Sequence, residues 1–196
     1  MGLIAKDKGG GDYTPIPEGL HHGICYGIFD IGTHYNAAFS KWAHQCIIVW
    51  ELPEERGTFD GKDLPRAISK TLTVSLHEKA ELRKVLQTWR GRSFTEQELQ
   101  GFDIKAVLGA NCFVQVIHKK KDDKVFANLV GVTPLPKGTA KKEPENPLKF
   151  FSFEDGTNIP EGTPDWISDK IKSSKEWGSG TVESQGDAPP VDDVPF

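Results

Sequence analysis

The chain has 196 residues, of which 24 are basic and 28 acidic, giving a formal net charge of −4. This length allows one domain of about 150 residues with appendages, and no apolar run approaches the roughly 20 residues that cross a membrane. Nucleic-acid binders are often basic overall, so such a surface would need local clustering of charge here. Cys25, Cys46 and Cys112 lie far apart in apolar runs, which is typical of buried thiols in a reducing cytoplasm.

The N-terminal third of the chain is predicted to hold an arm and three strands. Residues 1–19 are rich in glycine and proline and lack an apolar signal core, so we expect a flexible arm on a cytoplasmic protein. Apolar and alternating patterns predict strands over His21 to Ile31, Gln45 to Leu52 and Ala67 to Leu76. Of the polar stretches between them, His34 to Ala43 is predicted to be a loop and Pro53 to Pro65 a long hairpin connection.

The period then changes from strand to helix and back. Glu78 to Trp89 has apolar residues at helical spacing. Thr95 and Glu98 match a capping box that opens a second, short helix. Two more strands are predicted over Asn111 to Lys119 and Lys124 to Thr133, joined by a polar hairpin loop.

Beyond Pro134 the composition indicates appendages. Residues 136–180 are predicted to form a linker and docking segment, with KFFSFED lying on the body and a helix opening at Pro164. Residues 181–196 hold four acids and no base, so the remaining 24 acidic and 24 basic side chains balance. We expect this acidic tail to be disordered, because it has few apolar side chains to bury.

Five strands with a helix between the third and the fourth is the element order of the OB-fold. We therefore predict a mainly β protein with inserted helices, whose residues 20–135 form a five-stranded OB-fold barrel. An α+β sandwich has a similar order and stays open as an alternative. OB-folds bind single strands across one face and its flanking loops.

Two parts of the sequence resemble known proteins. Asp192-Asp193-Val194-Pro195-Phe196 resembles the Asp-Asp-Asp-Ile-Pro-Phe terminus of bacterial single-stranded-DNA-binding proteins, which docks on replication and repair partners. The blocks GLIAKDKGGG and LTVSLHEKAELRKVLQTWRGRSFTEQELQGFDIKAVLGANCFVQV resemble a family of bacteriophage and prophage single-stranded-DNA-binding proteins, over residues 1–150. The resemblance implies a protein of the bacterial host cytoplasm that coats single-stranded DNA (ssDNA) in replication or recombination and recruits partners through Asp192, Asp193, Val194, Pro195 and Phe196.

Single-strand binding needs aromatic rings for the bases and cations for the phosphates. The candidate stacking rings are Tyr35, Phe39, Trp42 and Phe59, whereas Trp50 alternates with apolar neighbours and is expected in the core. The candidate phosphate contacts are Lys41, Arg66, Lys70, Arg90, Arg92, Lys119, Lys120 and Lys121. Lys70 stands out because it interrupts an apolar strand face, where it must reach water or an anion.

Signals for an enzyme are poor. His21 and His22 are adjacent on a strand and point to opposite faces, and no metal-binding or phosphate-loop motif occurs in the sequence. We therefore expect no catalysis and no cofactor. A protein-binding adaptor without DNA affinity, a strand-annealing recombination protein and a metal-dependent nuclease remain as alternatives, and a homo-oligomer stays open.

Overall fold

The computed structural model describes residues 14–37, 40–59 and 61–179. Within these ranges the chain forms six strands, four α-helices and two short 3₁₀ helices. In chain order they are β1 (Gly19–Asn36), β2 (Lys41–Phe59), β3 (Lys62–Thr73), α1 (Glu81–Arg90), α2 (Glu96–Gln100), a 3₁₀ helix (Ile104–Val107), β4 (Asn111–Lys121), β5 (Lys124–Thr133), β6 (Lys149–Phe151), a second 3₁₀ helix (Phe153–Asp155), α3 (Asp165–Lys172) and α4 (Lys175–Ser179).

The strands form one sheet in the order β3-β2-β1-β4-β5, and these neighbours are all antiparallel. The prediction of a mainly β fold with inserted helices is therefore confirmed. The sheet is not closed into a barrel, because no ladder joins β3 to β5 in the described part of the chain. A side chain spans the opening instead, where Lys70 Nζ on β3 donates to the carbonyl oxygen of Leu129 on β5, at 3.2 Å.

The first strand is shared between three neighbours. Its first residues, Gly19 to Ile24, pair with β4, and its remaining length pairs with β2. Beyond the stretch paired with β4, the edge of β1 is taken by β6, which pairs in parallel with Gly27, Ile28 and Phe29. The KFFSFED segment thus lies on the body as expected, and it does so as an added strand.

One face of the sheet packs on what we call the inner cluster. Trp50, fully buried, contacts Trp89 of α1, with ring centroids 5.6 Å apart and ring planes tilted by 55°. The predicted apolar stripe of this helix is buried, and the helix ends at Gly91, whose positive φ of 67° suits glycine. All three cysteines are free, buried thiols. The larger buried members of the inner cluster are Ile28, Ile48, Trp50, Leu52, Leu72, Leu82, Leu86 and Trp89.

The other face of β1 and β2 packs on the outer cluster. Here Phe29, Ile31, Ile47 and Val49 meet the C-terminal segment, by which we mean residues 145–179. The segment contributes Phe151, Phe153, Ile167 and Ile171. Because β1 and β2 are buried on both faces, their sequences are nearly continuous apolar runs. The helix predicted to open at Pro164 is broken into α3 and α4 at Ser173 and Ser174.

One predicted loop and one predicted long hairpin connection are mostly strand. The polar stretch from His34 to Ala43 is largely strand, since Tyr35 pairs with Trp42 across the β1–β2 hairpin. The hairpin predicted over Pro53 to Pro65 is present, but it is mostly strand rather than a long connection, since β2 runs to Phe59 and β3 starts at Lys62. Backbone pairing continues in both although their side chains are mostly exposed, so hydrophobic alternation does not mark them.

The predicted flexible arm is described only from Thr14, and there it packs on the sheet. Ile16 is buried in the inner cluster. Arg66 donates to the carbonyl oxygen of Thr14, and His118 Nε2 donates to that of Ile16 at 2.9 Å. The carboxylate of Glu18 accepts from the backbone N–H of His118 at 2.7 Å. Residues 14–18 therefore bridge β3 and β4.

Candidate functional site

Three β-hairpins expose aromatic rings, and they form the candidate site. We call β1–β2 the first hairpin, β2–β3 the second and β4–β5 the third. Tyr35 and Trp42 on the first hairpin are 54% and 53% exposed, Phe59 on the second 48%, and Phe126 on the third 42%. Rings with this exposure bury only part of their area within the protein, and exposed aromatic rings are the groups on which bases stack.

The third hairpin concentrates positive charge around its ring. Lys119 lies directly opposite Phe126 in the ladder, and Lys121 lies opposite Lys124. Lys119, Lys120, Lys121 and Lys124 are all exposed. The turn itself consists of Asp122 and Asp123, both with positive φ (48° and 60°), as in the tight turns that match strand twist. Lys119, Lys121 and Lys124 therefore share one face of the hairpin with the exposed ring of Phe126, whereas Lys120, opposite Val125, lies on the other face.

The first hairpin carries the most exposed pair of rings. Tyr35 and Trp42 meet edge to face with centroids 5.5 Å apart. Lys175 of α4 places its Nζ 3.6 Å from the centre of the Trp42 ring. Lys41 is exposed beside them. Phe39, the other ring predicted for this site, lies outside the described residues.

The second hairpin carries one exposed ring, Phe59, and two arginines, which differ in whether carboxylates bind them. Arg56 is held by the carboxylates of Asp63, at 2.9 Å, and Glu145, at 2.5 Å. These two partners raise the pKa of Arg56, Glu145 most, so its charge is fixed and neutralised. Arg66 has no carboxylate partner in the part of the chain that the structure describes, and donates to the Thr14 carbonyl instead. Arg66 is thus a cation of this hairpin that no carboxylate among the described residues neutralises.

Lys70 is already engaged inside the protein. Its Nζ lies 2.6 Å from the carboxylate of Glu81 on α1 and also bonds Leu129. The sequence predicts that Lys70 must reach water or an anion, and in the structure the anion is the Glu81 carboxylate. Lys70 therefore ties β3 to β5 and α1, and a phosphate would have to compete with a carboxylate for it.

Arg90 and Arg92 are paired as well. Both bind the carboxylate of Glu98, and the Arg92 side chain, followed by the Thr95 N–H, holds the pKa of Glu98 at about 2. The Arg90 guanidinium lies between the rings of Phe94 and Phe102, at 4.6 and 4.8 Å from their centres. The predicted capping box of Thr95 and Glu98 is present. These contacts lie at the C-terminal end of α1. Of the two arginines, Arg92 is the well exposed one, with 55% of its side chain accessible.

The hairpins do not converge in one cleft. The registers of β2 and β4 against β1 place the second and third hairpins at the end of the sheet where β1 begins. Residues 14–18 lie between them, bonded to Arg66 on one side and His118 on the other. The first hairpin extends from the opposite end of β1. The candidate site therefore consists of two neighbouring hairpins and one distant hairpin.

Three features of the site were missed from the sequence. Phe126 could not be assigned to a face, because the β4–β5 ladder has a register shift after Gln115 that breaks simple alternation. Lys175 lies far along the chain from the Trp42 ring that it covers. Tyr26 lines a groove beside the second hairpin although it sits in an apolar run. Only long-range contacts reveal the last two.

Metal ligands do not cluster in the described ranges. No group of three or more His, Cys, Asp or Glu side chains there could hold a metal ion. His21 and His22 have separate partners, Glu55 at 3.0 Å and Asn111 at 2.7 Å. Among the described residues, no helix is both long enough and apolar enough to span a membrane.

The sequence was also compared with known proteins. Neither the models of known protein families nor the curated proteins give a match to this chain.

Proposed function

We propose that this protein binds ssDNA with little sequence preference, coats it during phage DNA replication or recombination in the bacterial cytoplasm, and has no catalytic role. The observation that carries the proposal is the third hairpin, where Lys119 lies opposite the exposed ring of Phe126 among three further lysines. Cations for the phosphates beside a ring for the bases are what sequence-independent single-strand binding requires.

The topology supports an OB-fold. The strand order β3-β2-β1-β4-β5, with α1 between β3 and β4, is that of this five-stranded, partly open Greek-key barrel. OB-folds bind oligonucleotides on the face of their second and third strands and on the β1–β2 and β4–β5 loops. Here the C-terminal segment covers the outer face of β1 and β2. The first and third hairpins take the places of those two loops, and both carry exposed aromatic rings.

The acidic tail supplies the second half of the proposal. Asp192 to Phe196, which lie outside the described residues, combine two carboxylates with a terminal aromatic ring. In the free protein this tail competes with DNA for the basic hairpins, and on DNA it is released to recruit a replication or recombination partner. Deleting it should leave DNA affinity equal or higher and abolish recruitment.

The test is fluorescence anisotropy of a labelled poly-dT oligonucleotide at several salt concentrations. We expect tight binding by the full chain, and a slope of log affinity against log salt that falls by about 1.4 in Lys119→Gln/Lys121→Gln, at roughly 0.7 per lost phosphate contact. The matched control is Lys79→Gln/Lys84→Gln, two exposed lysines near α1. No binding by the full chain would reject the proposal and favour a protein-binding adaptor; faster pairing of complementary strands would add an annealing activity.

A further inference from the structure

A surface groove of about 760 Å³ runs beside the second hairpin. Gly57, Phe59 and Arg66 of this hairpin form one side, and Asn146 and Pro164 of the C-terminal segment are on its lining too. Small-molecule sites in proteins span roughly 300–1,000 Å³. The groove is therefore large enough for a nucleotide.

The walls of the groove are held in place by charged contacts. Arg56 binds Asp63 within the hairpin and Glu145 on the C-terminal segment, so that it fixes the hairpin against the segment. Arg66 is anchored by the Thr14 carbonyl. A site whose walls are fixed before binding loses less entropy when a ligand enters.

Gly57 sets the distance between the ring and the cation. A β-carbon at this position would lie 2.9 Å from Cε2 of Phe59 and 3.3 Å from Cγ of Arg66. The ring and the stem of the arginine therefore both rest against the bare backbone of Gly57. This brings one exposed aromatic ring and one cation without a carboxylate partner in the described ranges to the same point.

Tyr26 adds a polar group to the lining. The Tyr26 phenol is protonated near neutral pH already at the ordinary tyrosine pKa of about 10, and burial, followed by the nearby Glu51, raises its pKa further. A neutral hydroxyl both donates and accepts a hydrogen bond. Every base has such groups on its edge, so this contact requires no particular sequence.

We propose that the groove takes one unstacked nucleotide of the bound single strand, with the base on the Phe59 ring, the phosphate on Arg66 and the base edge toward Tyr26. This inference rests on the proposed function and deepens it. It assigns a nucleotide subsite to the second hairpin, at the same end of the sheet as the basic third hairpin.

The test compares poly-dT affinity and photocrosslinking in the full-length protein. Phe59→Ala should weaken binding on the order of tenfold, the loss of one stacked base, whereas Phe59→Trp, which keeps a stacking ring, should retain it. Arg66→Gln keeps a donor for the Thr14 carbonyl but should lower the salt slope by about 0.7. Lys84→Gln, on α1, is the charge control. An oligonucleotide carrying 5-iododeoxyuridine should crosslink to Phe59 or Tyr26.

Two negative results are distinguishable. If the wild-type protein binds poly-dT and Lys119→Gln/Lys121→Gln weakens it, but Phe59→Ala and Arg66→Gln bind like wild type, the groove is not a nucleotide subsite and the proposed function stands. If the wild-type protein does not bind poly-dT at all, the function and the subsite both fall.

Discussion

The inner cluster is built from residues between Ile16 and Val132, whereas the outer cluster joins β1 and β2 to side chains more than 100 residues further along the chain. The inner cluster is apolar throughout. The outer one is flanked by two carboxylates that bind backbone groups across the interface: Glu51 of the sheet holds residues 145 and 146, and Glu176 of α4 holds Thr33. Apolar packing dominates the first interface, with the Lys70–Glu81 ion pair as a polar tie between the sheet and α1. In the second interface, carboxylates also bind backbone N–H groups directly.

The largest effect is expected from the centre of the inner cluster. Trp50→Ala should lower the free energy of unfolding by about 3–5 kcal/mol, since it removes a fully buried ring from its contact with Trp89. Urea unfolding followed by circular dichroism measures this. The control is Trp166→Ala, at a 46% exposed ring, which should cost no more than about 0.5 kcal/mol. Equal losses in the two variants would contradict the assignment of the inner cluster as the main core.

A smaller loss is expected from the apolar part of the outer cluster. Ile171→Ala removes a fully buried side chain and should cost about 2–3 kcal/mol, near the lower end for such truncations, because α3 is short and can shift. Limited proteolysis should then cut within residues 145–179 sooner than within the strands. Lys170→Ala, at an exposed neighbour, is the control. Cleavage of the strands at the same rate would show that the two clusters unfold together.

The buried carboxylate of Glu51 should matter almost as much. It accepts from the N–H groups of residues 145 and 146 at 2.8 and 2.9 Å and from the Asn146 side chain at 2.7 Å. Hydrogen bonds to a charged group contribute about 1.5–3 kcal/mol, so Glu51→Gln should destabilise by about that amount in urea. The control is Glu54→Gln, which removes an exposed ion pair with Lys142 and should change the free energy of unfolding by less than about 1 kcal/mol. Equal losses of stability in Glu51→Gln and Glu54→Gln would contradict the assignment of Glu51 as an anchor of the C-terminal segment.

The smallest effect is expected at Glu176 and depends on pH. Burial works against ionisation of this carboxyl, but the bonds from the Thr33 hydroxyl and N–H outweigh it and lower its pKa. The contribution of ionised Glu176 to the free energy of unfolding is therefore fully present above the ordinary glutamate pKa of about 4.3. It is lost as the pH falls through the lowered pKa of the folded protein. Glu176→Gln should cost about 1 kcal/mol at pH 7 and little at pH 3, in urea unfolding at both pH values. A cost that does not change with pH would contradict the contact.

Elements with local signals could be predicted from the sequence. The alternation from Ala67 to Leu76, the stripe of α1 and the Thr95–Glu98 capping box each involve residues a few positions apart, and each has its structural counterpart. The hairpin extensions at Tyr35 and Phe59 had no such signal, because strands exposed on both faces show no apolar alternation. For the outer cluster, the sequence predicts that KFFSFED lies on the body, but not which strands it packs on, since these partners are distant in the chain.

The candidate site was predictable to a similar degree. Polar neighbours in the sequence predict exposed rings at Tyr35, Trp42 and Phe59, and all three rings are exposed in the structure. Lys70 and Arg90 were chosen for their charge, yet the structure pairs both with glutamates, which lie 11 and 8 residues away along the chain. Composition near a cation does not reveal such partners. Whether any of these residues binds DNA stays a prediction.

The three thiols of the inner cluster have a practical consequence for labelling chemistry. Burial raises the pKa of Cys46 to about 12 and those of Cys25 and Cys112 well above the usual range. Maleimides react with the thiolate, so the cysteines of the native protein should not react with them at neutral pH. A single Lys120→Cys substitution on the third hairpin would then carry a fluorophore at one defined position, with no need to remove the natural cysteines.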